Sequence, residues 1–86
     1  MEVIFTSTAL SHLEEWKKSG NVGVQKKISE LLSSMKETPF EGVGKPEPLK
    51  HKLTGKWSRR INHEHRIIYS FDNDILCIYS LKGHSK

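Results

Sequence analysis

The sequence predicts an α+β domain in which an antiparallel helix hairpin covers one face of a mainly antiparallel sheet. Three observations predict it. A short β-branched and aromatic run opens the chain, two stretches with apolar residues every three or four positions follow, and strand-like runs separated by turn residues close it. Helical and strand patterns that segregate along a chain in this way favour helices packed on one side of an antiparallel sheet. At 86 residues the chain makes one domain, spanning 1–86, near the size at which a single core suffices without disulfides or a metal.

Val3, Ile4 and Phe5 suit a short strand buried in a sheet. Thr6 or Ser7 then offers a hydroxyl to cap a helix. Ala9, Leu10, Leu13 and Trp16 recur at spacings of three and four, with Glu14, Glu15, Lys17 and Lys18 on the wet side, and Ser19, Gly20 and Asn21 end the element. The second helix shows the clearest period. Val24, Ile28, Leu31, Leu32 and Met35 form one stripe opposite Lys26, Lys27, Glu30 and Lys36. So short a connection between two apolar faces predicts an antiparallel hairpin laid over the sheet. Thr38 before Pro39 stops the second helix.

Residues 39–48, PFEGVGKPEP, contain three prolines and two glycines and read as a stiff surface loop. Such a loop can hold a side chain such as Glu47 against a scaffold at little entropic cost. Three strand-like runs follow: Trp57 to Asn62, Ile67 to Phe71 after the polar NHEHR, and Ile75 to Leu81 after the turn residues Asp72, Asn73 and Asp74. A further short strand is expected around Leu49 to Leu53. The sheet that follows the helices should therefore have three to four strands.

Charge is concentrated. Between Gly44 and Arg66 the chain carries seven Lys or Arg against two Glu, a local +5, whereas the whole chain is only +4. The remainder is slightly acidic, at −1. A local basic field of this kind suits phosphate, and Trp57 and the interleaved histidines can stack on bases. The lone Cys77 cannot form an internal disulfide and suits a reducing compartment. His51, His63 and His65 lack the Cys partners or helical spacing of a metal site, so neither metal nor other cofactor is expected. The start of the chain has Glu2, Glu14 and Glu15 without a basic region or a long apolar run. Neither signal peptide nor membrane span is expected, and the cytoplasm is the expected compartment.

Cleaving RNA without a metal needs a base for the 2′-hydroxyl proton, a cation for the charge developing on phosphorus, and an acid for the departing 5′-oxygen. Glu47 in the basic loop, Arg66 at the opening of a strand and His84 near the C-terminus are candidates for these roles. Each also has a structural reading: Glu47 neutralising Lys45 or Lys50, Arg66 as an ordinary strand-face arginine, His84 as a frayed terminal residue. A carboxylate is intrinsically a weak base for a hydroxyl, so positioning and phosphate stabilisation would carry more of the rate than basicity. Trp57, Tyr69 and Tyr79 read as packing residues. Arg59 and Arg60 must point to opposite faces of their strand, so at most one of them faces the site.

The run TPFEGVGKPEPLKHKLTGKWSRRINHEHRIIYS resembles the signature of YoeB-type (Txe-like) toxins within the RelE superfamily of bacterial toxin–antitoxin modules. The resemblance extends over nearly the whole chain, from VQKKISELL to the C-terminal SLKGH, and the mutual spacing of GKPEPLKH and WSRRI-x-x-EHR-x-x-Y is its most specific part. It implies a RelE-like microbial RNase fold and an endoribonuclease that enters the ribosomal A site and cuts mRNA there. It places the general base on Glu47, the phosphate-stabilising arginine on Arg66 and the general acid on His84. Lys50 and His51 match positions near the scissile phosphate, and Arg59 and Arg60 match the basic pair of SRR; Lys45 and Lys52 complete the expected RNA-binding set. The implied partners are mRNA, the ribosome and an acidic YefM-like antitoxin, with homodimerisation common in the family.

One departure stands out. Family members typically end in His-Tyr, whereas this chain ends in His84, Ser85 and Lys86. Loss of a terminal aromatic face predicts lower activity or an altered base preference, since such stacking is worth about 1–3 kcal/mol. Two competing readings share the fold: a ParE-like gyrase poison, which lacks a Glu/Arg/His set, and a basic RNA-binding module without catalysis.

Overall fold

The computed structural model describes residues 1–83, so His84, Ser85 and Lys86 lie outside the described residues. The elements run β1 (Glu2–Phe5), α1 (Ser7–Ser19), α2 (Val22–Glu37), β2 (Glu47–Pro48), a 3-10 turn (His51–Leu53), β3 (Trp57–Arg60), β4 (Arg66–Asp72) and β5 (Ile75–Ser80). The five strands form one mixed sheet in the order β1-β5-β4-β3-β2. Neighbours are antiparallel except β1 and β5, which run parallel, with Val3 opposite Leu76 and Phe5 opposite Ile78. The α+β class is as expected.

Local chemistry explains the helix ends. Thr6 caps α1, its Oγ1 accepting the Ala9 N–H at 3.1 Å while donating to the Tyr79 carbonyl at 3.0 Å, so one hydroxyl ties the helix start to β5. Gly20 ends α1 in the left-handed conformation (φ 72°), which costs glycine nothing. Asn21 caps α2 through Oδ1 and the Val24 N–H. The connection is thus only two residues long, and Thr38 ends α2 as expected.

The helices cover one face of the sheet. Ala9 and Trp16 of α1 and Val24, Ile28, Leu31 and Met35 of α2 are buried with Ile67, Tyr69, Leu76 and Ile78 from the inner face of β4 and β5. Full burial of each Leu or Ile contributes about 1.5–3 kcal/mol. Of the expected α2 stripe, Leu32 is half-buried at its edge. No helix among the described residues is long and apolar enough to cross a membrane.

Two expectations are corrected. The strand around Leu49 to Leu53 is a two-residue strand at Glu47–Pro48 followed by a 3-10 turn, because His51 adopts a positive φ (59°) that breaks extended pairing. Arg59, expected to bind RNA phosphate, is wholly buried on the inner face. Its Nε donates to the Tyr69 hydroxyl, one terminal nitrogen to Ser34 Oγ (2.7 Å) and the Val43 carbonyl, and the other to the carbonyls of Thr38 (2.6 Å) and Glu41 (2.8 Å). All five N–H donors are occupied. No carboxylate among the described residues pairs with it, and the carbonyl dipoles of the 38–43 loop take that place. Gly42 and Gly44 let the loop approach: a Cβ at Gly42 would lie 2.6 Å from Ser34 Oγ, and one at Gly44 2.6 Å from a Leu31 methyl. Arg59 is therefore the clamp of the proline-rich loop.

Candidate functional site

Strand alternation sends neighbours of Arg59 the other way. Ser58 and Arg60 face the side of the sheet that carries no helix. Register brings the candidate residues to that same side: Glu47 lies opposite Ser58, Ser58 opposite Ile68, and Arg60 opposite Arg66. Glu47 and Arg66 are thus two strands and two residues apart, about 12 Å between Cα atoms.

The electrostatics of this face are unbalanced. Arg60 and Arg66 are directly opposed on adjacent strands, an arrangement that costs roughly 0.2–1 kcal/mol when no anion intervenes. The ion pairs among the described residues are Met1 amine to Asp74, Lys27 to Glu30 and Lys82 to Glu15, and none involves Glu47, Arg60, Arg66 or the lysines of the basic stretch. The neutralising reading of Glu47 is therefore not realised there. Arg66 donates to Ser58 Oγ at 3.2 Å, its one side-chain hydrogen bond among the described residues, which leaves most of its fork open. Ser58 itself is fully buried.

Lys45, Lys50, His51 and Lys52 are all exposed and stay on the segments flanking β2 at the sheet edge, rather than joining the arginines on the sheet. His84 lies outside the described residues. The chain leading to it is fixed up to Gly83. The Leu81 N–H donates to His12 Nδ1 (3.1 Å), the Trp16 indole N–H to the Leu81 carbonyl (2.9 Å), and the Gly83 N–H to His65 Nδ1 (3.0 Å). The Arg66 N–H donates to the Gly83 carbonyl at 3.0 Å, so the C-terminal segment passes directly beside the residue that opens β4. Sequence reasoning missed Ser58, His12 and His65 in these roles. Only the alternation of Ser58 with Arg60 hinted at the first, and an isolated histidine on a helix gave no hint of the second.

Residues 5–85 match the family described as YoeB-like toxin of bacterial type II toxin-antitoxin system. The chain belongs to this family. The YoeB toxin of Escherichia coli K12 is 43% identical over 84 residues, covering 98% of this chain and 99% of that one. Among solved structures, the YoeB/ParE toxin from Agrobacterium tumefaciens superposes with a TM-score of 0.93 at 36% identity, covering 99% of this chain and 100% of its own. The toxin of the YoeB–YefM complex from Staphylococcus aureus gives 0.88 at 42% identity, with 99% and 98% covered. The same organism's YoeB has also been solved as a dimer (0.89, 41%, 99% and 98% covered). A YoeB-like toxin with this RelE-like α+β architecture is thus what the sequence resemblance led one to expect.

Proposed function

We propose that this YoeB-like toxin is a ribosome-dependent endoribonuclease that cuts mRNA in the A site and so stops translation. The observation that carries the reading is the opposed Arg60–Arg66 pair, un-neutralised among the described residues and on the same open face as Glu47. Two guanidiniums on directly paired residues, with no counter-charge among the described residues, are set up to receive a phosphate. In the proposed step Glu47 takes the 2′-hydroxyl proton, and the 2′-oxygen forms its bond to the adjacent phosphorus. Arg66 holds the charge on the non-bridging oxygens. The bond to the 5′-oxygen breaks, and His84 delivers a proton to that leaving oxygen. The cation that this chemistry needs is an arginine, so no metal enters the step. Lys45, Lys50, His51, Lys52 and Arg60 provide the surrounding positive field for the message.

The partners follow from the same surface. An acidic antitoxin of the YefM kind that folds on contact would cover or distort it, and the toxin would act in the cytoplasm where ribosomes and antitoxin are found. Pairing with a second copy is part of this reading, in line with the relative solved as a dimer.

The deciding experiment is primer extension on a defined mRNA programmed into 70S ribosomes, with wild type, Glu47→Gln, Arg66→Ala and His84→Gln. A cut at the A-site codon that each substitution abolishes or greatly slows is the expected result. Ribosome binding without any cut, unchanged by Ser85→Tyr, would leave a non-catalytic binder.

A further inference from the structure

The open face of the sheet is divided. Toward β2 and β3 it carries Glu47, Lys56, Arg60 and Arg66; toward β5 and β1 it carries Ile68, Ser70, Tyr79, Cys77, Ile75 and Ile4, with Glu2 and Asp72 at its far end. The one aromatic ring on the second half is Tyr79, and the backbone is irregular at that residue. Ile68 pairs with Ser80 and Tyr69 with Ile78, so Tyr79 is the extra residue of a β-bulge. Bulges re-aim side chains and gather beside active sites. Here Ile78 and Leu81 are buried while Tyr79 and Ser80 between them are half-exposed, so the bulge turns both onto the open face.

The ring does not stay over its own strand. Its hydroxyl lies 3.0 Å from Ser70 Oγ on β4, and the Lys56 ammonium, from the start of β3, sits 4.2 Å from its centroid. Tyr79 is therefore laid across β4 toward the charged half, one residue pair along from the row that holds Ile68, Ser58 and Glu47. Among the described residues the Lys56 ammonium makes neither a hydrogen bond nor an ion pair, so it must keep its water while it covers the ring. The half-exposed ring already holds a cation on one face, the geometry that also suits a π partner there.

We infer that Tyr79, with Lys56, is the platform for one base of the A-site codon in this toxin. The inference rests on the nuclease reading and deepens it. A nucleotide has an anionic edge and an apolar face, and this surface offers the same two halves in adjacent rows: arginines for the phosphate, an aromatic ring for the base. When the base stacks, the Lys56 ammonium moves from the ring to the phosphate backbone.

The test uses the whole chain and 70S ribosomes whose A-site codon bears an abasic nucleotide at each position in turn, with a 2′-O-methyl message for affinity and a normal message for single-turnover cutting. Wild type is expected to lose about tenfold in affinity at one position. Tyr79→Leu should lose that amount on the intact codon and nothing further on the abasic one, and Tyr79→Phe should recover most of it. A folded Tyr79→Leu chain, checked by thermal melting, that still distinguishes intact from abasic codons as wild type does overturns the inference. So does a Tyr79→Leu effect confined to self-association or antitoxin affinity. Absence of cutting by wild type counts against the nuclease reading alone, because the affinity comparison on the uncuttable message still decides for or against Tyr79.

Discussion

Arg59 and Arg60 are adjacent in sequence and identical in chemistry, yet the inner and outer faces of β3 give them opposite surroundings. Arg59 points among the helices, fully buried, with every N–H occupied by a hydroxyl or a loop carbonyl. Arg60 points outward, half-exposed, opposite Arg66 and without a counter-ion among the described residues. A strand's two-residue period is enough to place a buried, fully bonded cation and an open one side by side. What separates them is satisfaction: the inner guanidinium is complete, and the outer pair is left wanting an anion.

The sharpest way to break this contrast is Arg59→Met. It leaves the Ser34 and Tyr69 hydroxyls and three loop carbonyls without their donor, at a cost of about 4 kcal/mol. Thermal melting should show a fall of roughly 15–30 °C. Arg66→Ala tests the other face. Stability should change by less than about 0.5 kcal/mol, since a like-charge pair is relieved, while cutting in the 70S assay should drop roughly 10²–10³-fold.

Tyr69→Phe sharpens the inner face by a smaller step. The phenol accepts from Arg59 and donates to the Pro39 carbonyl at 2.7 Å, and its loss should cost about 1–2 kcal/mol. Burial pushes the Tyr69 phenol above its usual 10.0, with the Arg59 hydrogen bond pulling it back only in part. A folded-state value raised in this way gives a contribution that is fully present below about pH 10 and is lost as pH rises through the folded value. Melting against pH should therefore show an alkaline decline that Tyr69→Phe flattens. The smallest effect is expected at the surface pair of Lys82 and Glu15, 2.9 Å apart. The Lys82 hydrogen bond and charge lower the Glu15 carboxyl below its usual value, so any contribution exists above the ordinary carboxylate range and disappears as pH falls through the folded value. Lys82→Ala should remove that acid limb and little else.

The two faces also differ in how far the sequence revealed them. The helices were legible because Val24, Ile28, Leu31 and Met35 repeat with the helical period and burial follows the stripe. Glu47 and Arg66 stood out as candidates through the chemistry that RNA cleavage demands and through a resemblance spanning their spacing, and strand register puts both on the open face. Alternation showed that Arg59 and Arg60 diverge, but the choice of which goes inside depends on Ser34, Tyr69 and the loop carbonyls, partners distant in sequence. The strand expected at Leu49 to Leu53 failed because apolar alternation over five residues is also what a turn can produce when one residue, His51, accepts a positive φ. The parallel partnership of β1 with β5 has no local signal at all, because it joins residues more than seventy positions apart.

That partnership has a consequence in time. Glu2 to Phe5 find their hydrogen-bonding edge only on Ile75 to Ile78, and α1 receives its contacts from Leu81 through His12 and Trp16. A nascent chain emerging from the ribosome therefore holds an unpaired first strand and an unclosed sheet until β5 has been made and has left the ribosome. Such late closure is slow and topologically costly. For a toxin whose proposed target is the translating ribosome, it also means that the sheet stays open, and the weapon unformed, until β5 is clear of the machine that builds it.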